Sequence, residues 1–222
     1  MIPRIIIHNS ISIDGSLTNF EADEGLHYRI AALYRPDVHL IGSNSMLIGI
    51  ESYWDGIPLE EKTDFVKQAR DAHLPYWVIV DSKGALNGLL HICRRFEFCK
   101  DVIVLVCEKT PKEYLAYLKE RDYNYHLVGE DRVDLRGSME LLQQIYRVDT
   151  VVTDTGKILG NLLLNQGLVN EISLLVHPVI VGNRSYNMFG DITANRKVKL
   201  MKSETLEGGF LWTVYGVAGK EK

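Results

Sequence analysis

The run TVVTD, residues 150–154, is followed by Thr155-Gly156-Lys157 and then by a segment with helical spacing. Small residues at a strand-to-helix turn let backbone N–H groups face an anion, and the helix that follows directs its positive end at the same charge. The chemistry this suits is phosphate binding by Asp154, Thr155, Gly156 and Lys157. Asp and Thr are also good N-caps, so a plain cap is the competing account. Other apolar runs end in similar groups: Gly42-Ser43-Asn44-Ser45, Asp81-Ser82-Lys83-Gly84 and Cys107-Glu108-Lys109-Thr110. In an open α/β sheet, ligands bind outside the carboxyl ends of strands. Several anion-friendly turns at such ends point to one ligand. Neither the GxGxxG nor the Walker pattern is present.

Asn9 and Asp14 follow the first apolar run. Asp14 is the titratable group best placed for catalysis; it could orient a substrate hydroxyl or pass a proton through water. Asp-Gly is equally a common turn. Asn9 could hydrogen-bond a ligand or simply end a strand. The histidines show no metal-ligand spacing and no metal is expected; Cys93, Cys99 and Cys107 match no zinc or CxxC pattern.

These residues need a frame. Continuous apolar runs at residues 4–8, 38–42, 77–81, 102–106, 125–129 and 150–154 read as strands buried on both faces. Helical segments lie between them: around Tyr28–Tyr34, over residues 58–72 after Pro58, after the Thr110-Pro111 start, over 138–147 with Ser138 as cap, and over 159–166 ending at Gly167. Residues 172–182 read as a long strand interrupted at His177-Pro178, and residues 197–217 as two strands joined near Glu207–Gly209. The fold class is therefore α/β: a mostly parallel central sheet with helices on both faces and a C-terminal antiparallel strand pair. No linker or composition break interrupts the 222 residues, which read as one domain, 1–222.

The net charge of −4, with 24% charged residues, provides no basic stripe, so nucleic acid is not an expected partner. No long apolar run predicts a membrane span, and sparse cysteine suits the cytoplasm.

The sequence resembles the reductase domain of riboflavin-biosynthesis deaminase–reductases and their stand-alone counterparts, which share the dihydrofolate reductase-like fold. The resemblance rests on Gly167-Leu168-Val169-Asn170-Glu171, Pro178-Val179-Ile180-Val181-Gly182, the N-x-x-[ST]-x-D-G pattern of Asn9, Ser12, Asp14 and Gly15, Leu40–Leu47, and Val78–Ser82. It implies NADPH as cofactor. The diphosphate would lie on Thr155, Gly156 and Lys157, the nicotinamide side near Gly42, Ser43 and Ser45, and the 2′-phosphate on Ser82 and Lys83, with residues 107–110 bordering the adenine. The substrate would meet Asn9 and Asp14. The reaction implied is hydride transfer to the ribosyl C1′ of a 5-amino-6-ribosylaminopyrimidine 5′-phosphate, in a homodimer. Two departures stand out: Thr155-Gly156 replaces a glycine pair, and residues 48–56 lack the family's D-D-P-x-L-T stretch. The second keeps open a related enzyme that reduces a pterin or another small C=N or C=O acceptor. A non-catalytic nucleotide-binding module is the third possibility.

Overall fold

A computed structural model describes residues 2–218. Its elements run β1 (Arg4–Ser12), α1 (Glu24–Leu33), β2 (Val38–Gly42), α2 (Ser43–Tyr53), β3 (Tyr76–Val80), α3 (Leu90–Arg95), β4 (Val102–Val106), α4 (Lys112–Glu120), β5 (Asn124–Leu127), α5 (Leu135–Tyr146), β6 (Thr150–Thr153), α6 (Lys157–Asn165), β7 (Glu171–His177), β8 (Val198–Thr205) and β9 (Leu211–Val217). They form two compact units. One comprises residues 2–3 and 37–149, the other residues 4–36 and 150–218. Each unit is assembled from separate stretches of chain, which is why no linker marks a boundary in the sequence.

In the first unit β2, β3, β4 and β5 pair in parallel, in the order β5-β4-β3-β2. β4 is buried at all five positions, as expected of a strand covered on both faces. Ile79, Val104, Leu90, Leu118 and Tyr114 form the centre of its core. Burying side chains of this size contributes about 1.5–3 kcal/mol each. The helix expected after Thr110-Pro111 is α4, in which Tyr114, Tyr117 and Leu118 are buried and Leu115 is partly buried against the same core. Cys93, Cys99 and Cys107 are free and buried. Burial pushes the Cys93 thiol up and that of Cys99 up to about 12, so neither is a nucleophile at neutral pH.

Two helix expectations fail here. Residues 58–72 hold only one short 3₁₀ turn, Lys62–Phe65. Side chains from α3 occupy the carbonyls that a helical ladder would use. His91 Nε2 pairs with Pro58 O (2.8 Å), Arg95 Nη2 donates to Leu59 O (2.9 Å), and Arg94 Nη1 donates to Asp64 O (2.8 Å). Ser138 lies inside α5 rather than at its start; Asp134 is the cap, and the Ser138 hydroxyl donates back to Asp134 O at 2.6 Å.

In the second unit β1 pairs in parallel with β6 on one side and β7 on the other, and β9 and β8 continue antiparallel beyond β7. Ile5, Ile6 and Ile7 are wholly buried. β1 runs four residues past the apolar run because its polar side chains find partners inside the unit. His8 meets Ser173 (2.9 Å), and Ser10 meets His27 (3.1 Å). β7 stops at His177, before Pro178, and residues 179–182 do not resume as a strand. α6 ends as expected, with Gly167 at φ +68° and its N–H donating to Leu164 O. No helix among the described residues is long and apolar enough to cross a membrane.

Candidate active site

In the first unit, β2 and β3 align so that Gly42 pairs with Val80. The groups that follow these two strand ends are therefore neighbours. Gly42 is the N-cap of α2, in extended conformation, and no side chain caps that helix. Gly42, Ser43 and Ser45 are half-buried at its first turn. After β3, the wholly buried Asp81 carboxylate accepts the N–H groups of Ala85 (2.9 Å) and Leu86 (3.0 Å). That fixes a tight turn in which Gly84 has φ +69°, and a Cβ there would sit 2.9 Å from the Tyr114 ring. The turn holds Ser82 half-buried and Lys83 exposed. Ser82 O accepts the Thr110 hydroxyl at 3.0 Å, and Ser82 Oγ accepts Val133 N–H at 3.1 Å. The proton of Ser82 thus remains to donate to a ligand. Thr110, read from sequence as part of a helix start, instead ties the β4 loop to the Ser82 turn. Of the 107–110 group, Cys107 and Thr110 are buried, and Glu108 and Lys109 are exposed.

In the second unit, Asn9 and the 154–157 turn come together. Asn9 Nδ2 donates to Asp154 O (3.1 Å) and reaches Thr155 O (3.4 Å). Its Oδ1 is buried with no hydrogen-bond partner among the described residues. A buried carboxamide oxygen left without a donor is costly, and a ligand N–H would satisfy it. Thr155 is buried, and its N–H turns inward toward Thr153 Oγ1 at 3.4 Å. Gly156 and Lys157, which follow it, are half-buried. Gly156 is the N-cap of α6 at φ −62°, ψ 177°, and no side chain caps the helix. Neither Thr155 nor Gly156 has a positive φ, so the backbone of this turn does not itself require a glycine at either position. The Lys157 ammonium is held 3.1 Å from Asp191 Oδ1 and 4.9 Å from the Tyr186 ring centre.

Asp14 is tied to a different segment. Its carboxylate accepts the Ser12 hydroxyl (2.7 Å) and the N–H groups of Val181 (3.1 Å) and Gly182 (2.9 Å). The Ser12 bond first, and the two amides after it, hold its pKa down at about 2. At neutral pH Asp14 is a carboxylate, suited to accept a hydrogen bond from a hydroxyl rather than to release a proton. Because the folded pKa is depressed, its contribution to stability is present above the unfolded value of about 4 and is lost as pH falls through about 2. Asp14→Asn is therefore expected to be less stable than the parent at pH 7, with the gap closing below pH 2 in denaturant titrations. A gap unchanged at pH 1.5 would contradict this.

Sequence reasoning missed His27, whose Nε2 lies 3.7 Å from Asp154 Oδ2, and Asp191, the partner of Lys157. Neither carries a local signal, since each meets its partner only through the fold. Trp54 packs against the core of the first unit, whereas Tyr53 is exposed. No group of three or more His, Cys, Asp or Glu among the described residues could hold a metal ion.

Comparison with known proteins bears on the family and the fold. Residues 3–212 match the RibD C-terminal domain family. The chain is 26% identical over 194 residues to the 2,5-diamino-6-ribosylamino-4(3H)-pyrimidinone 5′-phosphate reductase of Methanothermobacter thermautotrophicus, covering 83% of this chain and 82% of that protein. Its fold is similar to a pyrimidine reductase-like protein from Corynebacterium diphtheriae, with a TM-score of 0.70 at 16% identity over 97% of this chain and 92% of the other. It is also similar to the riboflavin biosynthesis reductase of Saccharomyces cerevisiae, with a TM-score of 0.66 at 18% identity over 98% and 90% of the two chains. With the match spanning nearly the whole sequence, the chain belongs to the RibD C-terminal domain family.

Proposed function

We propose that this protein is a cytoplasmic, NADPH-dependent reductase, a single reductase domain over 1–222. It transfers hydride to the ribosyl C1′ of a 5-amino-6-ribosylaminopyrimidine 5′-phosphate, the class of compound named for the archaeal relative. The observation that carries this reading is the Asn9 carboxamide, which clasps the 154–155 turn and keeps one buried oxygen without a donor, in a chain of this family.

NADPH supplies the hydride when bound, and the protein supplies binding and orientation. The amides of Gly156 and Lys157, at the positive end of α6, hold the diphosphate. Asn9 Oδ1 accepts an amide N–H from cofactor or substrate. Gly42, Ser43 and Ser45 line the nicotinamide side. The Asp14 carboxylate accepts a ribosyl hydroxyl and fixes the acceptor's orientation, which is a rate factor in itself. The Ser82 hydroxyl and the exposed Lys83 ammonium meet the 2′-phosphate. Lys83→Ala is expected to weaken NADPH binding roughly three- to tenfold through loss of a charge-assisted contact, with NADH affinity unchanged. Equal loss for both nucleotides, in fluorescence titrations, would remove Lys83 from this role.

The segment after β2 favours a second reading. Ile48, Tyr53, Ile57 and Leu59 are all more than half exposed. Such a surface suits a flat heterocycle, and so a pterin or another small C=N or C=O acceptor. The protein is further proposed to be a homodimer. β8 is exposed along its length, with Val198, Leu200 and Met201 outward, and an apolar groove of about 310 Å³ lies among Leu164, Ile172, Leu174, Phe189, Val198 and Tyr215. Sedimentation equilibrium is expected to give twice the chain mass; a monomer at all concentrations would contradict this.

A further inference from the structure

After β7 ends, residues 179–193 form one irregular segment within the second unit, with a 3₁₀ turn at Gly182–Arg184. Its first half is bonded to the loop after β1. Val179 O accepts the Ile13 N–H (2.9 Å), and the Val181 and Gly182 N–H groups donate to the Asp14 carboxylate. Further along, the Tyr186 N–H donates to Ser16 Oγ (2.8 Å), and the Met188 N–H donates to Gly15 O (2.9 Å). The fit is close: Gly15 has φ +79°, and a Cβ there would sit 3.2 Å from Asn187 Nδ2. Bonds at so many points tie the segment to the loop that carries Asp14.

The second half of the segment is bonded to α6. The Lys157 ammonium lies 3.1 Å from Asp191 Oδ1 and 4.9 Å from the Tyr186 ring centre, and a Cβ on Gly190 would lie 3.4 Å from the same nitrogen. About two helical turns on, along the same face, Asn165 Nδ2 donates to Asp191 O (2.9 Å) and Asn165 Oδ1 accepts the Thr193 N–H (3.1 Å). Lys157 is also the first residue of α6, directly after Gly156. Its main chain thus belongs to the turn assigned to the diphosphate, while its side chain holds the segment whose amides fix Asp14. The Lys157 and Asp191 side chains are 21% and 53% exposed, so the ion pair adds little to global stability. Its effect is local order.

We infer that the Lys157 side chain is a positioning residue for the acceptor: by holding Asp191 and the Tyr186 ring it fixes residues 179–193, and through the Val181 and Gly182 amides it fixes the direction of the Asp14 carboxylate. This rests on the reading above, in which Asp14 meets the acceptor and the Gly156 and Lys157 amides meet the cofactor. One residue then joins the two ligands, its main chain on one and its side chain acting on the other. The competing use of a lysine at this place is a direct ion pair with the diphosphate. The two differ in the part played by Asp191. A lysine that acts through Asp191 is disabled by removing either partner, whereas a lysine that pairs with the diphosphate is set free when Asp191 is removed.

The test is a double-mutant cycle on the intact protein with Lys157→Ala, Asp191→Ala and the two combined. It is read by turnover of the ribosylaminopyrimidine phosphate at saturating NADPH and by fluorescence titration of NADPH. In each single variant kcat/KM for the acceptor is expected to fall about three- to fivefold, the scale of one partly exposed ion pair, and no further in the double variant. The NADPH Kd of Lys157→Ala should change by less than about twofold, and Lys157→Arg should restore the parent kcat/KM. Hydrogen exchange supplies a reading that needs no turnover. The Val181 and Gly182 amides should exchange at least about fivefold faster in both single variants, with the amides of Ile5, Ile6 and Ile7 unchanged as the control for folding. Weaker NADPH binding in Lys157→Ala, with acceptor kinetics and exchange untouched in Asp191→Ala, would overturn the inference and assign the ammonium to the diphosphate. Additive losses in the double variant, or unchanged exchange at Val181 and Gly182, would also overturn it. A parent protein that turns over none of the acceptors would overturn the reductase reading, and this inference with it.

Discussion

Arg94→Met is expected to destabilise the protein by about 3–5 kcal/mol, the usual cost of breaking a buried, hydrogen-bonded charge. Arg94 is buried, yet its guanidinium serves three main-chain carbonyls. Nη1 donates to Asp64 O and Arg121 O, both at 2.8 Å, and Nη2 donates to Asp122 O at 2.7 Å. The group also lies over the Tyr123 ring at 3.7 Å, and Asp101 stands 4.0 Å from its Nε. Methionine keeps the stem and its packing but leaves three main-chain acceptors without this donor, of which the Asp64 carbonyl contact is buried and the other two are part-buried; a buried acceptor left unmet costs about 1–3 kcal/mol. In a domain whose whole stability is of order 5–15 kcal/mol, the thermal midpoint should fall by roughly 10 °C. Arg94→Lys keeps the charge without the planar fork and should fall between the two. A midpoint within about 2 °C of the parent for Arg94→Met would show that these contacts are dispensable.

The second large effect concerns the amide at the start of α6. Lys157→Pro removes one N–H donor with little disturbance to the backbone. Proline is favoured at the first position of a helix, and Gly156, at ψ 177°, already has the extended conformation a residue before proline requires. The substitution also deletes the ion pair with Asp191, so Lys157→Ala is the proper reference, since it loses the same side chain and keeps the N–H. If the amide holds a diphosphate, Lys157→Pro should bind NADPH about 10- to 100-fold more weakly than Lys157→Ala, the value of one hydrogen bond to a charged group. Equal affinities for the two variants, with both folded, would place the anion elsewhere.

The strands at 38–42 and 102–106 are legible residue for residue; the second is apolar without interruption and buried at every position, and the first keeps Val38 and Leu40 buried on either side of His39. The extension of β1 through Ser12 is not legible. His8 and Ser10 look like strand-ending polar residues until Ser173 and His27, far along the chain, are seen to satisfy them. The same applies to residues 58–72. Local propensity favours a helix, but the buried Arg94 and its neighbours from α3 claim the carbonyls. α3 itself left no periodic signal in its six residues. For the candidate site, the residue types at strand ends were readable. Their partners, Asp191, His27 and Val133, were not, since each hydrogen bond or ion pair closes only in three dimensions.

The measurement that bears most directly on function is NADPH oxidation by the purified protein, followed at 1:1 stoichiometry against 2,5-diamino-6-ribosylamino-4(3H)-pyrimidinone 5′-phosphate, with pterin and simple imine acceptors in parallel. The account predicts turnover with the ribosylaminopyrimidine phosphate, ribityl product, and loss of that turnover in Asp14→Asn while NADPH still binds. Tight NADPH binding with no oxidation by any acceptor would contradict it and leave a nucleotide-binding module; turnover confined to a pterin would move the substrate assignment to the second reading.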